Sequence, residues 1–161
     1  MEAIVAGTFD PFTAGHCDIV TRAAALFDRV TVAVALETGK NCAPSEDRVR
    51  IVEASIGGLG NVEVVPFGGL LCDFVKSRRG KKVLVRGIRG VRDFEYERDL
   101  SRVYAHSCGV ESVFLCSSPN VEYISSTLVR ELARLDAPLD GYVADGAVEY
   151  VKRLYGSGKG E

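Results

Sequence analysis

A glycine-bounded loop and a histidine follow the first apolar run of the chain. Gly7 to Gly15 join a strand-like run, Ala3–Ala6, to an amphipathic segment, and His16 comes directly after the loop. Backbone N–H groups at a helix start lack intrahelical partners and carry partial positive charge, so such a loop binds anions. Gly15 would let a ligand approach the backbone, and His16 would face it. The alternative is an ordinary strand-to-helix turn, because glycine-rich turns are common.

A second candidate lies between Lys76 and Arg92, where eight cations occur without an acid. We interpret residues 76–82 as a helix end and a solvated turn, where cations complement the helix dipole. Arg86 and Arg89 instead leave the carboxyl end of a valine-rich run, and the two glycines beside them permit backbone curvature. Guanidinium groups bind phosphate through paired hydrogen bonds, so these two arginines predict a phosphate site.

The third candidate is the segment Asn120–Thr127, which follows the last valine-rich run and ends in three hydroxyl residues. Serine and threonine at a helix start accept hydrogen bonds from its unpaired N–H groups. The same hydroxyls and N–H groups can hold terminal phosphates. The two roles are compatible, so the segment predicts both a helix cap and an anion contact.

The elements around these segments predict where they lie. Short, nearly continuous apolar runs indicate five buried strands: Glu2–Ala6, Val30–Ala35, Val62–Val65, Val83–Val85 and Val113–Cys116. They alternate with amphipathic segments, which predicts a single-domain α/β fold, a Rossmann-like five-stranded parallel sheet with helices on both faces. Ligands of such sheets bind at the carboxyl ends of the strands. The three candidates should therefore meet at one edge of the sheet.

The helices are predicted from apolar spacing and cap residues. The first carries Ile19, Val20, Ala23, Ala24 and Phe27, and others start at a Ser45 cap, about Leu70, Asp93, the Ser125-Ser126 cap and an Asp145 cap. We predict one domain over residues 1–155 and a frayed tail over residues 156–161, since no linker separates two domains.

The composition excludes several classes of protein. A chain of 161 residues with 47% hydrophobic and 26% charged residues is typical of one globular domain rather than a disordered or coiled-coil chain. The net charge of −2 argues against a nucleic-acid partner. Five cysteines without a C-x-x-C pair indicate reduced thiols rather than disulfides or zinc. With no membrane-length apolar run and no signal peptide expected, we predict a cytoplasmic protein without a membrane partner.

Other known motifs are absent or misplaced. Gly156–Lys159 resembles part of a phosphate-binding P-loop but lacks the following hydroxyl residue and helix. No G-x-G-x-x-G follows the first strand, and no G-x-S-x-G or H-E-x-x-H motif occurs. We interpret His106 as a surface or interface residue and Cys17 as a small core residue.

Three segments resemble signatures of the nucleotidyltransferase superfamily. Gly7–Pro11 with Thr13-Ala14-Gly15-His16 is similar to its T/H-x-G-H signature, and Ile124–Thr127 is similar to its second signature. The block Arg86–Glu97 resembles the R-G-x-R-x-x-x-D-F-E-Y-E block of bacterial phosphopantetheine adenylyltransferases. The likeness runs from the first strand to the last helix.

The resemblance implies transfer of AMP from ATP to 4′-phosphopantetheine, which gives dephospho-coenzyme A and pyrophosphate, the penultimate step of coenzyme A biosynthesis. By motif position, the ATP contacts would be Thr8, Phe9, His16, Gly87, Ile88, Arg89, Glu97, Val121, Glu122, Tyr123, Ile124, Ser125, Ser126 and Thr127. The phosphopantetheine contacts would be Thr8, Lys40, Leu71 and Arg86. The resemblance also implies Mg²⁺, a cytoplasmic homohexamer and coenzyme A as a candidate feedback ligand.

The implied reaction sets the roles of the catalytic candidates. The acceptor phosphate has a second pKa near 6, so it is already nucleophilic at neutral pH and attacks in line without a covalent enzyme intermediate. We expect His16 to donate to the α-phosphate and Thr8 to orient the acceptor. Lys40 and Arg86 would neutralise the acceptor, and Arg89 would hold the leaving pyrophosphate with Ser126, Thr127 and Mg²⁺.

Two alternatives to this functional interpretation remain open. The nearest is another small-molecule nucleotidyltransferase, of the nicotinate mononucleotide adenylyltransferase or glycerol-phosphate cytidylyltransferase type. A different class is a non-catalytic nucleotide- or RNA-binding module that uses the cationic segment Lys76–Arg92. The chain also departs from the family at Gly69, where an aspartate is common, and at Tyr104, where an asparagine is expected, and both positions bear on the pantetheine arm.

Overall fold

The computed structural model describes residues 1–37 and 42–157. Strands and helices alternate along them, as predicted. The strands are β1 (Glu2–Gly7), β2 (Arg29–Ala35), β3 (Val62–Phe67), β4 (Lys82–Ile88) and β5 (Ser112–Cys116). The helices are α1 (Ala14–Leu26), α2 (Ser45–Ser55), α3 (Leu71–Ser77), α4 (Val91–Cys108), α5 (Ser126–Arg134) and α6 (Val148–Tyr155), with a 3₁₀ turn over Asp145–Ala147.

The five strands form one parallel sheet in the order β3-β2-β1-β4-β5. The predicted α/β fold is therefore confirmed. β4 is three residues longer at its carboxyl end than predicted, because Arg86, Gly87 and Ile88 pair with β5 although they interrupt the apolar run. The chain runs outward from β1 through β2 to β3, and then crosses back to β4 on the other side of β1. This reversal opens a crevice at the carboxyl ends of β1 and β4.

The helices cover both faces of the sheet. Alternate residues of each strand point to opposite faces, and they divide between two apolar clusters. The larger cluster joins Ala3, Val5, Val32 and Val85 to α1, α2, α5 and α6. The smaller cluster joins Ile4, Ala33 and Leu84 to Val75 of α3, with Tyr104 and Cys108 of α4 packed against it. Cys17 packs against the larger cluster, as predicted for a small core residue.

Three predicted helix starts differ from the structure. Ser45 is the first residue of α2 rather than its cap, and the cap Pro44 makes no side-chain hydrogen bond. α4 begins at Val91, two residues before Asp93. Asp145 starts the 3₁₀ turn and does not cap α6. In each case the acidic or hydroxyl residue lies in the first turn instead of at the cap. Such residues are common at both places, so residue type alone does not define where the helix begins. Ser125 does cap α5, because its side chain accepts from the Leu128 N–H.

The predicted solvated turn after α3 is wrong for one of its cations. Arg78 is largely buried and donates to Glu2 Oε1 over 2.7 Å, and it also forms an ion pair with Glu63. The Thr31 hydroxyl lies 2.7 Å from Glu2 Oε1 and 2.8 Å from Glu63 Oε1, and it can donate its one hydrogen to either carboxylate. Glu2 of β1, Thr31 of β2 and Glu63 of β3 lie side by side on one face of the sheet. The buried carboxylate of Glu2 requires a cation nearby, and Arg78 supplies it.

No helix of residues 1–37 or 42–157 has the length and apolar character needed to cross a membrane.

Candidate active site

A cavity of about 490 Å³ lies at the carboxyl edge of the sheet. It is formed where β1 and β4 end and where the chain leaves β5. It brings together parts of all three segments that the sequence singled out. The lining residues are Val5, Ala6, Gly7, Thr8, Phe9, Asp10, Thr13, Gly15, His16, Ile19, Cys42, Val85, Arg86, Gly87, Arg89, Asp93, Glu97, Ser117, Ile124, Ser125, Ser126, Thr127 and Arg130.

Thr13 caps α1, and His16 is part of the cap. The Thr13 backbone N–H donates to His16 Nδ1 over 2.9 Å, and the His16 N–H donates to Thr13 Oγ1 over 3.4 Å. This reciprocal pair is a capping box in which an imidazole replaces the usual glutamate or glutamine. Because Nδ1 accepts, the neutral ring carries its hydrogen on Nε2. The ring lines the cavity, so His16 presents a hydrogen-bond donor there rather than a base.

The surroundings of His16 keep the ring neutral. The Phe9 and Phe12 rings each lie 5.2 Å from the imidazole, centroid to centroid. Burial, followed by the positive charge of Arg89, lowers the pKa of His16 from 6.5 to about 4. Both causes disfavour the imidazolium. The ring therefore stays uncharged across the neutral pH range, with Nδ1 accepting from the Thr13 N–H and Nε2–H left as the donor.

We expect the His16 imidazole to titrate with a midpoint of about 4 in an NMR pH titration. In Arg89→Met the midpoint should rise toward 6.5 without reaching it, because burial is the larger cause. The chain has two histidines, so a His16→Ala spectrum assigns the signals. Between pH 6.5 and 4 the unfolded chain binds more protons at this site than the folded chain, so the free energy of unfolding should fall as pH falls through that range. A midpoint near 6.5 in the wild-type protein would contradict the geometry of the cap.

Arg86 enters the cavity from β4 and is held by Glu97 of α4. Its Nε and Nη2 donate to the two carboxylate oxygens over 2.6 Å and 2.8 Å, and Nη1 donates to the Ala6 carbonyl over 3.0 Å. Burial lowers the pKa of Arg86, but the Glu97 carboxylate more than offsets this, so the net pKa is raised. The guanidinium is therefore oriented before any ligand binds. Glu97, expected to contact ATP, orients Arg86 in this structure.

Arg89 lies just beyond β4, and its Nε donates to Asp93 Oδ2 over 2.9 Å. This pair is more exposed than Arg86–Glu97, so we expect it to contribute less to stability. The predicted curvature at the two neighbouring glycines is wrong. Gly87 lies within β4, where a Cβ would come within 2.9 Å of Ile19, and Gly90 has extended backbone with φ −177°. Gly87 is therefore required for close packing of α1 on the sheet.

The hydroxyl residues after β5 have defined partners. Ser125 caps α5, Ser126 Oγ donates to the Pro11 carbonyl over 2.8 Å, and Thr127 Oγ1 accepts from Arg130 over 3.2 Å. A Cβ on Gly15 would lie 3.4 Å from the Val121 carbonyl oxygen. The group that comes close to Gly15 in this structure is therefore the backbone of residue 121. These contacts join the chain after β5 to the turn after β1.

Comparison with known proteins identifies the family of this chain. Residues 4–132 match the family model described as cytidylyltransferase-like. A phosphopantetheine adenylyltransferase from Stenotrophomonas maltophilia (strain K279a) is 44% identical over 154 residues, which are 94% of this chain and 90% of the relative. A protein of the same name from Bordetella avium (strain 197N) is 46% identical over 145 residues, which are 89% of this chain and 86% of the relative. The chain belongs to the phosphopantetheine adenylyltransferase family. It is thus a nucleotidyltransferase, as the signatures implied.

The fold is also shared outside this family. A crystal structure from Vibrio parahaemolyticus, provisionally assigned as a nicotinate-nucleotide adenylyltransferase, superposes with a TM-score of 0.67 at 15% identity. The match covers 96% of this chain and 97% of that chain. At this identity the likeness shows the fold alone.

Most residues expected to bind substrate in a phosphopantetheine adenylyltransferase lie together here. Thr8, Phe9, His16, Arg86, Gly87, Arg89, Glu97 and Ile124–Thr127 line the cavity. Ile88, Val121, Glu122, Tyr123 and Leu71 lie outside its lining. Ile88 is buried in the sheet, whereas Glu122 and Tyr123 are exposed. Lys40 falls outside the described residues. The binding roles of all these residues remain predictions.

Sequence reasoning missed four residues around the site. Asp10 lines the cavity, and its carboxylate accepts from the Tyr155 hydroxyl over 2.6 Å and lies 3.5 Å from Arg130. Asp10 and Arg130 stand within or beside the recognised signatures, which could have indicated them. Nothing in the sequence pairs Tyr155 with Asp10, 145 residues away. Arg48 has a signal in its spacing from Ile51 and Val52, which places it on the buried face of α2.

Proposed function

We propose that this protein transfers the adenylyl group of ATP to 4′-phosphopantetheine and releases pyrophosphate. The names of the two relatives, at 44% and 46% identity over most of the chain, support the substrate pair. The observation that carries the proposal is the arrangement of the cavity. A neutral imidazole donor and two oriented arginines converge at the carboxyl edge of β1 and β4, beside the start of α1. A site of this kind suits two phosphate-bearing substrates.

The chemistry requires alignment more than proton transfer. The acceptor is a phosphate monoester, which is largely dianionic at neutral pH and is its own nucleophile. It attacks the α-phosphorus in line, the bond to the β-phosphate oxygen breaks, and pyrophosphate leaves without a covalent enzyme intermediate. His16 Nε2–H donates to the α-phosphate oxygens as negative charge develops there, and Thr8 orients the acceptor. A donor fixed in advance stabilises the transition state without reorganising.

The cations allow the two anions to approach each other. Arg86 and Lys40 neutralise the acceptor phosphate, while Arg89 and Ser126-Thr127 hold the leaving pyrophosphate. The described hydrogen bonds of Arg86 use one hydrogen each on Nε, Nη1 and Nη2. A guanidinium has five N–H donors, so Nη1 and Nη2 each have one more for a phosphate oxygen.

A Mg²⁺ ion that enters with ATP would be held mainly by the phosphates of the substrate. Among residues 1–37 and 42–157, no three His, Cys, Asp or Glu side chains form a metal-binding group. The carboxylates that line the cavity, Asp10, Asp93 and Glu97, each form an ion pair with an arginine. Mg²⁺ is commonly held by one or two carboxylates together with substrate phosphates. When bound, the ion would offset part of the negative charge of the pyrophosphate.

The family resemblance supports further proposals about the molecule as a whole. We place the enzyme in the penultimate step of coenzyme A biosynthesis, in the cytoplasm. We propose that it assembles as a homohexamer and that coenzyme A is a feedback ligand of the same site. α4 contributes no fully buried residue in the single chain, and Val91, Tyr96 and Val103 are exposed on it, so its surface is available to a neighbouring subunit.

The test is pyrophosphate release from ATP and Mg²⁺ with three acceptors in parallel. We expect release with 4′-phosphopantetheine and none with nicotinate mononucleotide, or with glycerol 3-phosphate when CTP replaces ATP. Release with one of the other acceptors alone would assign the chain to that substrate instead. Binding of ATP without release from any acceptor would contradict the enzyme proposal and favour a nucleotide-binding module. RNA binding would show a steep salt dependence, with log affinity falling by about 0.7 per neutralised phosphate for each log unit of salt.

A further inference from the structure

Asp18 is a largely buried carboxylate of α1, with a side chain that is 16% exposed. Its Oδ1 accepts from the Ser118 hydroxyl over 2.7 Å, and its Oδ2 accepts from the Ser118 N–H over 3.0 Å. Among residues 1–37 and 42–157, its other hydrogen-bond and ion-pair partner is Arg22. Both oxygens of the carboxylate therefore bind a single residue that lies 100 positions later in the chain, just after β5.

Arg22, one helical turn after Asp18, holds the end of β5 itself. Its Nη1 donates to the Cys116 carbonyl over 2.5 Å and to Asp18 Oδ2 over 3.3 Å. Burial raises the pKa of Asp18, but the hydrogen bonds from Ser118 and Arg22 more than offset burial, so the net pKa is lowered. The ionised carboxylate makes its hydrogen bonds to Ser118 charge-assisted, and such bonds are stronger than neutral ones. α1 thus holds both the last residue of β5 and the start of the segment that follows.

The segment after Ser118 is closed by its own hydrogen bonds. The Ser118 carbonyl accepts from the Val121 N–H over 3.0 Å, and the Val121 carbonyl accepts from the Ile124 N–H over 3.0 Å. Ser117 and Ile124, on the two sides of these turns, line the cavity. Because the turns leave little freedom between Ser118 and the start of α5, Asp18 sets where the segment lies relative to α1.

This segment belongs to the ATP side of the proposed site. The ATP contacts that the resemblance implies include Val121–Thr127, whereas no implied acceptor contact lies in this range. Within the described part of the chain, neither Asp18 nor Ser118 has a hydrogen bond or ion pair with an implied acceptor contact. His16, implied for ATP alone, lies two residues before Asp18 in α1. The contact between Asp18 and Ser118 therefore joins the helix that carries the α-phosphate donor to the segment expected to hold the nucleotide.

We propose that Asp18 is a positioning residue for ATP: through Ser118 it holds the segment Ser117–Thr127 against α1, so that this segment and His16 face the same nucleotide. This inference rests on the proposed function. Because Asp18 acts through a segment that contacts ATP and not the acceptor, loss of its carboxylate weakens ATP binding and leaves acceptor binding nearly unchanged.

The experiment is calorimetric titration of the full-length protein with ATP and Mg²⁺ and, separately, with 4′-phosphopantetheine alone. Asp18→Ala removes both acceptor oxygens, whereas Asp18→Asn keeps one and can donate from its amide to the Ser118 hydroxyl oxygen. We expect ATP affinity to fall about 10-fold or more in Asp18→Ala, as for the loss of hydrogen bonds to a charged group, and by a smaller factor in Asp18→Asn. Acceptor affinity should change less than about 3-fold in both variants, the scatter expected between uncoupled sites.

Asp28→Ala is the matched control, because Asp28 follows α1 and its side chain is 85% exposed. Both affinities of this variant should equal those of the wild-type protein. Should Asp18→Ala not fold, Ser118→Ala replaces it, since this variant loses the 2.7 Å hydrogen bond and keeps the carboxylate. We expect Ser118→Ala to weaken ATP binding and not acceptor binding.

The outcomes separate the inference from the proposed function. If the wild-type protein fails to bind ATP, the proposed function is wrong and the inference falls with it. If the wild-type protein binds ATP and Asp18→Ala, or Ser118→Ala in its place, binds it equally well, the inference about Asp18 alone is overturned. An equal loss of ATP and acceptor affinity would show a general structural role and would also overturn it.

Discussion

Replacement of His16 by alanine is expected to lower kcat by about 100-fold or more, with little change in ATP affinity. The imidazole is a donor held in place by the Thr13 cap, and its pKa of about 4 keeps it neutral at the pH of the assay. Loss of one preorganised donor to a developing oxyanion has an effect of this size. Steady-state pyrophosphate release and an independent ATP titration measure the two quantities.

The control for this variant is His106→Ala. His106 is exposed in α4, so kcat should remain within about 2-fold of wild type, as for a surface substitution. A His16→Ala enzyme with an unchanged kcat would exclude the donor role. A loss confined to the KM for ATP would move His16 from transition-state stabilisation to ground-state binding.

Arg86→Met is expected to raise the KM for 4′-phosphopantetheine by roughly 10- to 100-fold, the range for losing a hydrogen bond to a charged group. Two effects add in this variant. The acceptor phosphate loses a guanidinium, and Glu97 becomes a largely buried carboxylate without the arginine that now binds both its oxygens. Its negative charge would then repel an incoming phosphate. The KM for ATP should change much less.

The double variant Arg86→Met with Glu97→Gln separates these effects. Removal of the stranded carboxylate should restore part of the acceptor affinity and most of any lost thermal stability. Arg98→Met is the matched control, since Arg98 is the next residue in α4, exposed, and pairs with Asp99. A selective loss of ATP affinity in Arg86→Met would mean that the roles of Arg86 and Arg89 are exchanged.

The fold could be predicted because its signals are local. The strands are short apolar runs and the helices are amphipathic segments, and their alternation leaves few topologies besides a parallel sheet. The errors occurred at boundaries. β4 extends through Arg86 and Gly87 because pairing with β5 supplies hydrogen bonds that the apolar pattern does not report. The residue types of Ser45 and Asp145 predict caps, but capping depends on backbone geometry, and neither residue caps its helix here.

The site was predicted in outline because its motifs are contiguous in the chain. The turn after β1, the β4 block and the start of α5 each carry a recognisable signature, and parallel topology brings their ends to one edge. The pairing of the charges was not predictable in the same way. The sequence predicts that Arg86 binds a phosphate directly. In the structure it donates to Glu97, which lies eleven residues later in α4.

The amino-acid sequence by itself determined the sheet, the family and the three segments that form the cavity, since strand pattern and signature motifs depend on neighbours in the chain. Only the tertiary structure decided the protonation of His16, the partners of Arg86 and Arg78, and the burial of Arg48. Each of these depends on groups far apart in sequence: Arg78 meets Glu2, and Arg48 meets Thr8. Electrostatic energy depends on the distance between charged groups, and burial depends on how closely the surrounding atoms pack. For groups far apart in sequence, both are set only when the chain folds.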